Sequence, residues 1–158
     1  DNTFSASNYF SLSEDIITAA KVYFSSVNGI DDDVRLSKRK GISTKRLRGF
    51  KKNRIGPVDN GDYVGGNYVM ALNLEANLPT VLPENTNADL GVFLDFGNVW
   101  GVDYDSSLET SDDIKSAFGI GLDFFTPVGP LNFTLSQHLS KGSNDVTESF
   151  RFNLGTSF

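Results

Sequence analysis

The sequence predicts an all-β fold made of antiparallel strands, and three observations support this prediction. Apolar residues alternate with small or polar residues over most of the chain, rather than recurring at every third or fourth position. The composition, with 13 Phe and 15 Gly but one Met and one Trp, suits strands and turns better than helices. No connecting segment has the pattern of a crossover helix, so consecutive strands are expected to pair as a meander.

The alternating pattern predicts about seven strands within the 158 residues. The first two, at 4–12 and 16–24, alternate less regularly than the others. The five later strands are predicted at 68–78, 90–100, 118–125, 131–137 and 150–158. Turn-forming stretches such as TPVGP and SKGSND separate them. Residues 25–66 show no alternation, and an insertion of this length in a domain is expected to be either functional or disordered.

The two faces of these strands differ in an informative way. One face carries Gly, Asn, Ser, Thr, Asp, Glu and Arg, while the other carries Phe, Leu, Ile and Val. A soluble β-sandwich buries the apolar face, whereas a membrane barrel turns it to lipid and keeps the polar face in a wet lumen. Alternation alone fits both. A strand that ends on an aromatic residue, Phe158, favours a transmembrane β-barrel segment.

Positive charge is concentrated in the insertion. The chain is acidic, with a net charge of −6 and a pI of 4.6, yet ten of its 14 Lys and Arg lie between positions 35 and 54. Such a cluster indicates either a polyanion-binding surface or a solvated loop. A soluble domain that binds nucleic acid would be expected to interleave aromatic residues for base stacking. Only Phe50 lies within the cluster.

The sequence does not favour an enzyme. It has no Cys, and its one His, His138, lies at the end of a predicted strand without an obvious catalytic partner. Asp31–Asp33 lack the spacing and glycine of a calcium-binding loop. No glycine-rich segment leads from a strand into a helix as phosphate-binding loops do. We therefore predict no catalytic residue, no cofactor and no metal site.

A series of short motifs then indicates a family. In order along the chain they are LRGF (47–50), IGP (55–57), GGN (65–67), LNLEANLP (72–79), FLDFGNVW (93–100), GIGLDFFTPVGPLNF (119–133) and FRFNLGTSF (150–158). Together they resemble the C-terminal part of the barrel in BamA-type outer-membrane assembly factors of the bacterial surface antigen superfamily. The resemblance implies that residues 1–158 are part of a sixteen-stranded barrel, with the insertion at roughly 25–66 folded into the lumen. Seven strands are too few for a complete bacterial barrel, so the segment is expected to come from a longer protein.

The resemblance also implies roles for individual residues. The tip of the lumenal loop would be Arg48, Gly49 and Phe50, and the carboxylates that receive the arginine would be Glu75 and Asp95. Phe93 and Gly97 would complete the barrel motif around Asp95. A planar guanidinium can donate two parallel hydrogen bonds to one carboxylate, a geometry that the ammonium group of Lys does not provide. The alternative is that both carboxylates are ordinary wet lumen residues. The remaining basic residues would face acidic lumen, solvent or lipopolysaccharide phosphates; they include Lys38, Arg39, Lys40, Lys51 and Lys52.

The last strand is similar to the C-terminal signal of outer-membrane proteins through Asn153, Gly155 and Phe158. The resemblance implies a cell outer-membrane location and a non-enzymatic role in inserting barrel proteins through a weak seam at this strand. Its partners would be unfolded outer-membrane clients, assembly lipoproteins bound through other regions, and outer-membrane lipid and lipopolysaccharide, but not nucleic acid. Two alternatives stay open: a sister barrel that secretes a passenger, and a soluble β-domain whose basic loop binds nucleic acid.

Overall fold

A computed structural model of the chain describes residues 1–108 and 113–154 and confirms the all-β prediction. Within these residues the main sheet has seven antiparallel strands, in the order β1-β2-β5-β6-β7-β8-β9. The strands are β1 (Asn2–Ser11), β2 (Ile17–Ser26), β3 (Val58–Asp59), β4 (Asp62–Tyr63), β5 (Tyr68–Asn77), β6 (Ala88–Trp100), β7 (Lys115–Thr126), β8 (Gly129–Ser140) and β9 (Phe150–Leu154). None of the helices among the described residues has the length and apolar character needed to cross a membrane.

The main sheet is an open meander in which each strand pairs with its neighbours in the chain, except that the insertion separates β2 from β5. The register places Asn73 of β5 opposite Asp95 of β6, and Glu75 opposite Phe93. Because side chains alternate between faces along a strand, these four residues share one face. The register between β7 and β8 shifts at Ser116 and Ala117, where a bulge adds a residue on β8.

The insertion begins two residues later than predicted. Ser25 and Ser26 belong to β2 and pair with Val69 and Tyr68 of β5. Two consecutive serines interrupt the alternation of apolar and polar residues, so the sequence pattern ends before the strand does. The Ser25 hydroxyl lies 2.9 Å from that of Thr3 on β1. Residues 27–67, here called the inserted loop, contain the 3₁₀ helix Leu36–Lys38 and the short hairpin of β3 and β4. A second 3₁₀ helix, Glu84–Thr86, lies between β5 and β6.

The inserted loop covers one face of the sheet, which we call the inner face. This face carries buried residues of β5 and β6, including Asn73 and Asp95. The opposite, outer face leaves large apolar side chains exposed, such as Phe118 at 46% and Leu135 at 51%. The arrangement is the reverse of a soluble domain, which buries its large apolar face. An exposed apolar surface of this extent is typical of contact with lipid.

The hydrophobic core lies between the inserted loop and the inner face. The loop contributes Ile42, Leu47, Phe50 and Ile55, and the sheet contributes Val69, Ala71, Val99 and Ala117. The polar face was expected to be wet, and beneath the loop that expectation is wrong. The reason is the loop's own sequence, because apolar residues interspersed among the basic ones pack against the sheet.

Candidate functional site on the inner face

Arg48, at the tip of the inserted loop, forms the centre of the site. Its Nε donates to Oδ2 of Asp95 at 2.7 Å, and its Nη2 donates to Oδ1 at 2.7 Å. Its backbone N–H also donates to Oδ2 at 3.0 Å. The Asp95 side chain is fully buried and that of Arg48 is 11% exposed. The geometry is the bidentate fork that gives arginine–carboxylate pairs their strength and direction.

Glu75 extends this pair into a chain of alternating charges. Nη2 of Arg48 lies 2.8 Å from Oε1 of Glu75, and the other Glu75 oxygen accepts from Nζ of Lys21 on β2 at 2.7 Å. Burial lowers the pKa of Arg48, but the hydrogen bond and charge of Asp95, helped by Glu75, outweigh this and raise it. The arginine therefore stays charged at any physiological pH.

Phe93 supplies an apolar wall to the same guanidinium. The Arg48 guanidinium carbon lies 3.9 Å from the centre of the Phe93 ring, a cation–π arrangement. On β7, opposite Phe93, stands Gly119. A Cβ at Gly119 would lie 2.7 Å from Phe93 Cζ and 2.1 Å from the Leu135 carbonyl oxygen. The glycine thus makes room for the ring that the arginine covers.

Two predicted glycines permit the loop to lie close to the sheet. Gly49 has a φ of +89°, and a Cβ there would lie 2.9 Å from Cβ of Ala117. A Cβ at Gly97 would lie 2.6 Å from Cδ1 of Ile42 and 3.1 Å from the Met70 carbonyl oxygen. Phe50 follows Gly49 and is 1% exposed. The structure thus brings together Arg48, Gly49, Phe50, Glu75, Phe93, Asp95 and Gly97 in one place on the inner face.

We expect Gly49→Ala to destabilise the barrel more than Gly61→Ala. Both glycines have a φ near +90° (+89° and +88°), but no atom lies within 4 Å of a Cβ at Gly61. Left-handed backbone strain costs about 1–2 kcal/mol in either variant. Overpacking against Ala117 adds about 1–3 kcal/mol in Gly49→Ala alone. Urea unfolding of the two variants measures the difference, and equal losses would contradict close packing at the tip.

Three residues of the site were missed from the sequence. Nδ2 of Asn73 donates to Oδ1 of Asp95 and to the Arg46 carbonyl oxygen, each at 2.8 Å. Lys21 holds Glu75, and the Arg46 guanidinium stacks at 3.7 Å on the ring of Tyr23. For Asn73 and Lys21 the available signal was their position on predicted strands, whereas Arg46 lies in the insertion, where no strand pattern identifies it. Only the strand register, which alternation does not give, shows that they meet.

Other basic residues of the loop are arranged away from the tip. Nη2 of Arg39 donates to Oδ1 of Asp103 at 2.6 Å and to the Val34 carbonyl oxygen at 2.9 Å. Nζ of Lys40 lies 2.7 Å from a carboxylate oxygen of Asp1. Lys38, Lys51 and Lys52 are exposed. The cluster is therefore divided between internal ion pairs and an exposed set, which remains available to solvent or to phosphate groups.

The Asp103 contact is expected to weaken in acid. Burial raises the pKa of Asp103, but hydrogen bonds from the Val34 N–H and from Arg39 outweigh it, so the pKa falls from 3.8 to about 2. A carboxylate whose folded pKa is depressed stabilises the fold above its unfolded pKa, and loses that contribution as pH falls toward the folded value. The exchange protection of the Val34 amide should therefore decline between about pH 4 and pH 2. Asp103→Asn should show no such decline, and constant protection in the native protein would refute the link.

Of the three residues predicted to form the C-terminal signal, the structure describes only Asn153. Asn153 lies on β9 opposite Asn132 of β8, with an intermediate exposure. Gly155 and Phe158 lie outside the described residues. Among the described residues β9 lies at one edge of the sheet, and its outer face packs through Phe152 on the Phe133 ring, at 5.1 Å between ring centres. Within residues 1–108 and 113–154, no three His, Asp or Glu side chains are grouped to hold a metal ion.

Comparisons with known proteins agree with this geometry. The profile of the Omp85 superfamily domain matches residues 2–158. Outer membrane protein assembly factor BamA of Neorickettsia risticii (strain Illinois) is 27% identical over 90% of this chain, and the match covers 19% of that protein. BamA of Neisseria meningitidis serogroup B is 28% identical over 71% of the chain and 17% of its own length. BamA of Nitratidesulfovibrio vulgaris is 30% identical over 71% of the chain and 14% of its own length.

A solved structure shows the same fold. The crystal structure of BamA from Haemophilus ducreyi lacking POTRA domains 1-3 superposes with a TM-score of 0.82 at 24% identity, covering 95% of this chain and 33% of that one. The chain spans less than a fifth of the length of these curated relatives, with 19% as the largest share. The chain belongs to the Omp85 superfamily, and it is a C-terminal part of a BamA-type β-barrel of the outer membrane.

Proposed function

We propose that this chain is part of an outer-membrane protein assembly factor, which folds and inserts β-barrel proteins through a seam at its last strand. The observation that carries the proposal is that three relatives, matching 71–90% of the chain, are each named as outer membrane protein assembly factors. The clients would be unfolded outer-membrane proteins. Assembly lipoproteins would bind regions outside this chain, and lipid and lipopolysaccharide would contact the exposed outer face.

The mechanism we propose is non-enzymatic and depends on strand pairing. β9 lies at the edge of the sheet, and within the described residues it pairs with β8 through five residues. A strand edge presents unpaired N–H and C=O groups that act as a template for another strand. A client strand would add at this edge while the Arg48–Asp95 pair keeps the inserted loop fixed on the wall behind it.

Reconstitution tests this function. The full-length parent in lipid vesicles should accelerate the appearance of folded, heat-resistant client barrels from urea-unfolded outer-membrane protein. Vesicles that hold an unrelated barrel of similar size are the control. Transport of a soluble passenger into the vesicle lumen, without any gain in folded client, would instead indicate the sister secretion activity. Equal client folding with and without the parent would refute assembly.

A further inference from the structure

The inserted loop pairs with the segment that leads into the last strand. The Glu148 N–H donates to the Gly49 carbonyl oxygen at 2.9 Å, and the Lys51 N–H donates to the Val146 carbonyl oxygen at 2.8 Å. Between them, Phe50 and Thr147 form an antiparallel bridge. These bonds form a short β-ladder, here called the loop ladder, between residues 49–54 and 146–148. β9 begins two residues later, at Phe150.

One buried carboxylate holds both sides of the loop ladder. Oδ1 of Asp145 accepts from the Gly56 N–H at 3.3 Å, just beyond the inserted loop's side of the ladder. Oδ2 accepts from the Gly142 N–H at 2.6 Å, within the connection from β8 to β9. The Asp145 side chain is 3% exposed. A buried carboxylate that accepts from backbone groups on two segments fixes their relative position.

A buried lysine ties this carboxylate to the sheet. Nζ of Lys115, at the start of β7, lies 4.0 Å from Oδ2 of Asp145 and donates to Oδ1 of Asn98 on β6 at 2.7 Å. The Lys115 side chain is 3% exposed. The inner face therefore carries a second charged anchor for the inserted loop, separate from Arg48 and Asp95 and nearer to the last strand in the chain.

The start of β9 depends on the same contacts. The Ser136 N–H of β8 donates to the Ser149 carbonyl oxygen at 2.8 Å, and its hydroxyl donates to the Glu148 carbonyl oxygen at 3.1 Å. Glu148 also accepts from Arg151 of β9 at 2.6 Å. The loop ladder is thus continuous with the first contacts of β9.

We propose that Asp145 is a positioning residue that couples the inserted loop to the last strand, so that the placement of the loop sets the order of the seam strand. The proposal rests on the proposed function for its biological meaning, because the seam is where a client would enter. Its physical content is local: removing the carboxylate loosens residues 146–154 while the sheet behind them stays paired.

Hydrogen exchange of the full-length parent, in vesicles and without client, tests the coupling. In Asp145→Asn the amides of Val146, Glu148 and β9 should exchange roughly tenfold faster, the effect expected from losing one charge-assisted hydrogen bond. Amides of β5 and β6 should be unchanged. Asp59→Asn is the matched control, because Asp59 lies in the same loop and accepts from Tyr104 at 2.7 Å instead of holding the loop ladder.

A disulfide supplies the second, independent arm. Lys51 and Val146 are exposed, lie opposite each other in the loop ladder, and the chain has no native cysteine. The Lys51 N–H donates to the Val146 carbonyl oxygen, and opposite residues of a hydrogen-bonded antiparallel pair have Cα atoms about 5.5 Å apart, which a disulfide spans. Oxidised Lys51→Cys/Val146→Cys should restore β9 protection in Asp145→Asn, and should raise it further where Asp145 is intact. Reduction should remove both effects.

Three results would overturn the coupling. The first is an unchanged amide exchange rate of β9 in Asp145→Asn. The second is an increase in the exchange rate of β5 to β8 equal to that of β9. The third is a disulfide that forms without altering the exchange protection of β9. All are measured on the empty barrel. A parent that fails to assemble clients would refute the proposed function while leaving this result intact, and the reverse also holds.

Discussion

Arg48→Ala is expected to destabilise the full-length barrel by about 3–5 kcal/mol, the loss typical of breaking a buried ion pair. The reason is the burial of Asp95, whose side chain is fully buried and would be left without the guanidinium that pairs with it. A water-filled lumen would screen such a charge and reduce the loss to about 1 kcal/mol. The Asp95 side chain has no exposed surface beneath the loop, whose Leu47 and Phe50 are each 1% exposed. The larger value therefore applies, and urea unfolding in lipid vesicles measures it.

A double-mutant cycle separates the pair from its surroundings. Asp95→Asn removes the buried charge, so Arg48→Ala should cost much less in that background than in the native one. Arg48→Lys is the matched control, since it keeps the charge but loses the two-pronged geometry, and it should recover only part of the loss. Glu75→Gln should matter less, because that side chain is 25% exposed and shared with Lys21. Additive losses for Arg48→Ala and Asp95→Asn would show that the two residues act separately.

Strand content and face assignment follow from the sequence because both depend on local alternation. Asn73 and Glu75, for example, share a face because they lie two positions apart on one predicted strand, and Asp95 lies on the face of its own strand that carries small and polar residues. The assignment of Arg48 to the two carboxylates needed more, because Arg48 and Asp95 lie 47 positions apart and nothing local connects them. That assignment came from the resemblance of the motifs to a known family.

The sequence could not show what covers the inner face. Ile42, Leu47, Phe50 and Ile55 lie among ten basic residues, so the segment reads as a charged, solvated loop. In the structure these four residues form half of the core. Lys115 and Asp145 were missed for a related reason. Lys115 is a single charge at the start of β7, Asp145 lies in the connection from β8 to β9, and their approach depends on the folding of that connection.

The seam prediction has the largest effect on function. A cysteine at Asn153 of β9 is expected to form a disulfide with a cysteine on the strand that completes the barrel in the full-length parent, and with a client's C-terminal strand during assembly. Asn153 lies on the edge strand. Cross-strand neighbours have Cβ atoms about 4.5–5.5 Å apart, which is within reach of a disulfide. Because the two partners compete for one edge, added client should reduce the link to the parent's own strand as the client link appears.

Asn132 provides the matched control, because it lies directly opposite Asn153 on β8 and therefore at the same height in the sheet. A cysteine there is one strand farther from the edge, so a partner strand at the seam is about 10 Å away at a strand spacing of about 4.8 Å. Two cysteines with Cα atoms more than about 7 Å apart do not join without backbone movement. We therefore expect Asn132→Cys to form neither link, as judged by mobility on non-reducing gels. Client links of equal yield from both positions, or none from Asn153→Cys, would mean that clients enter elsewhere than at β9.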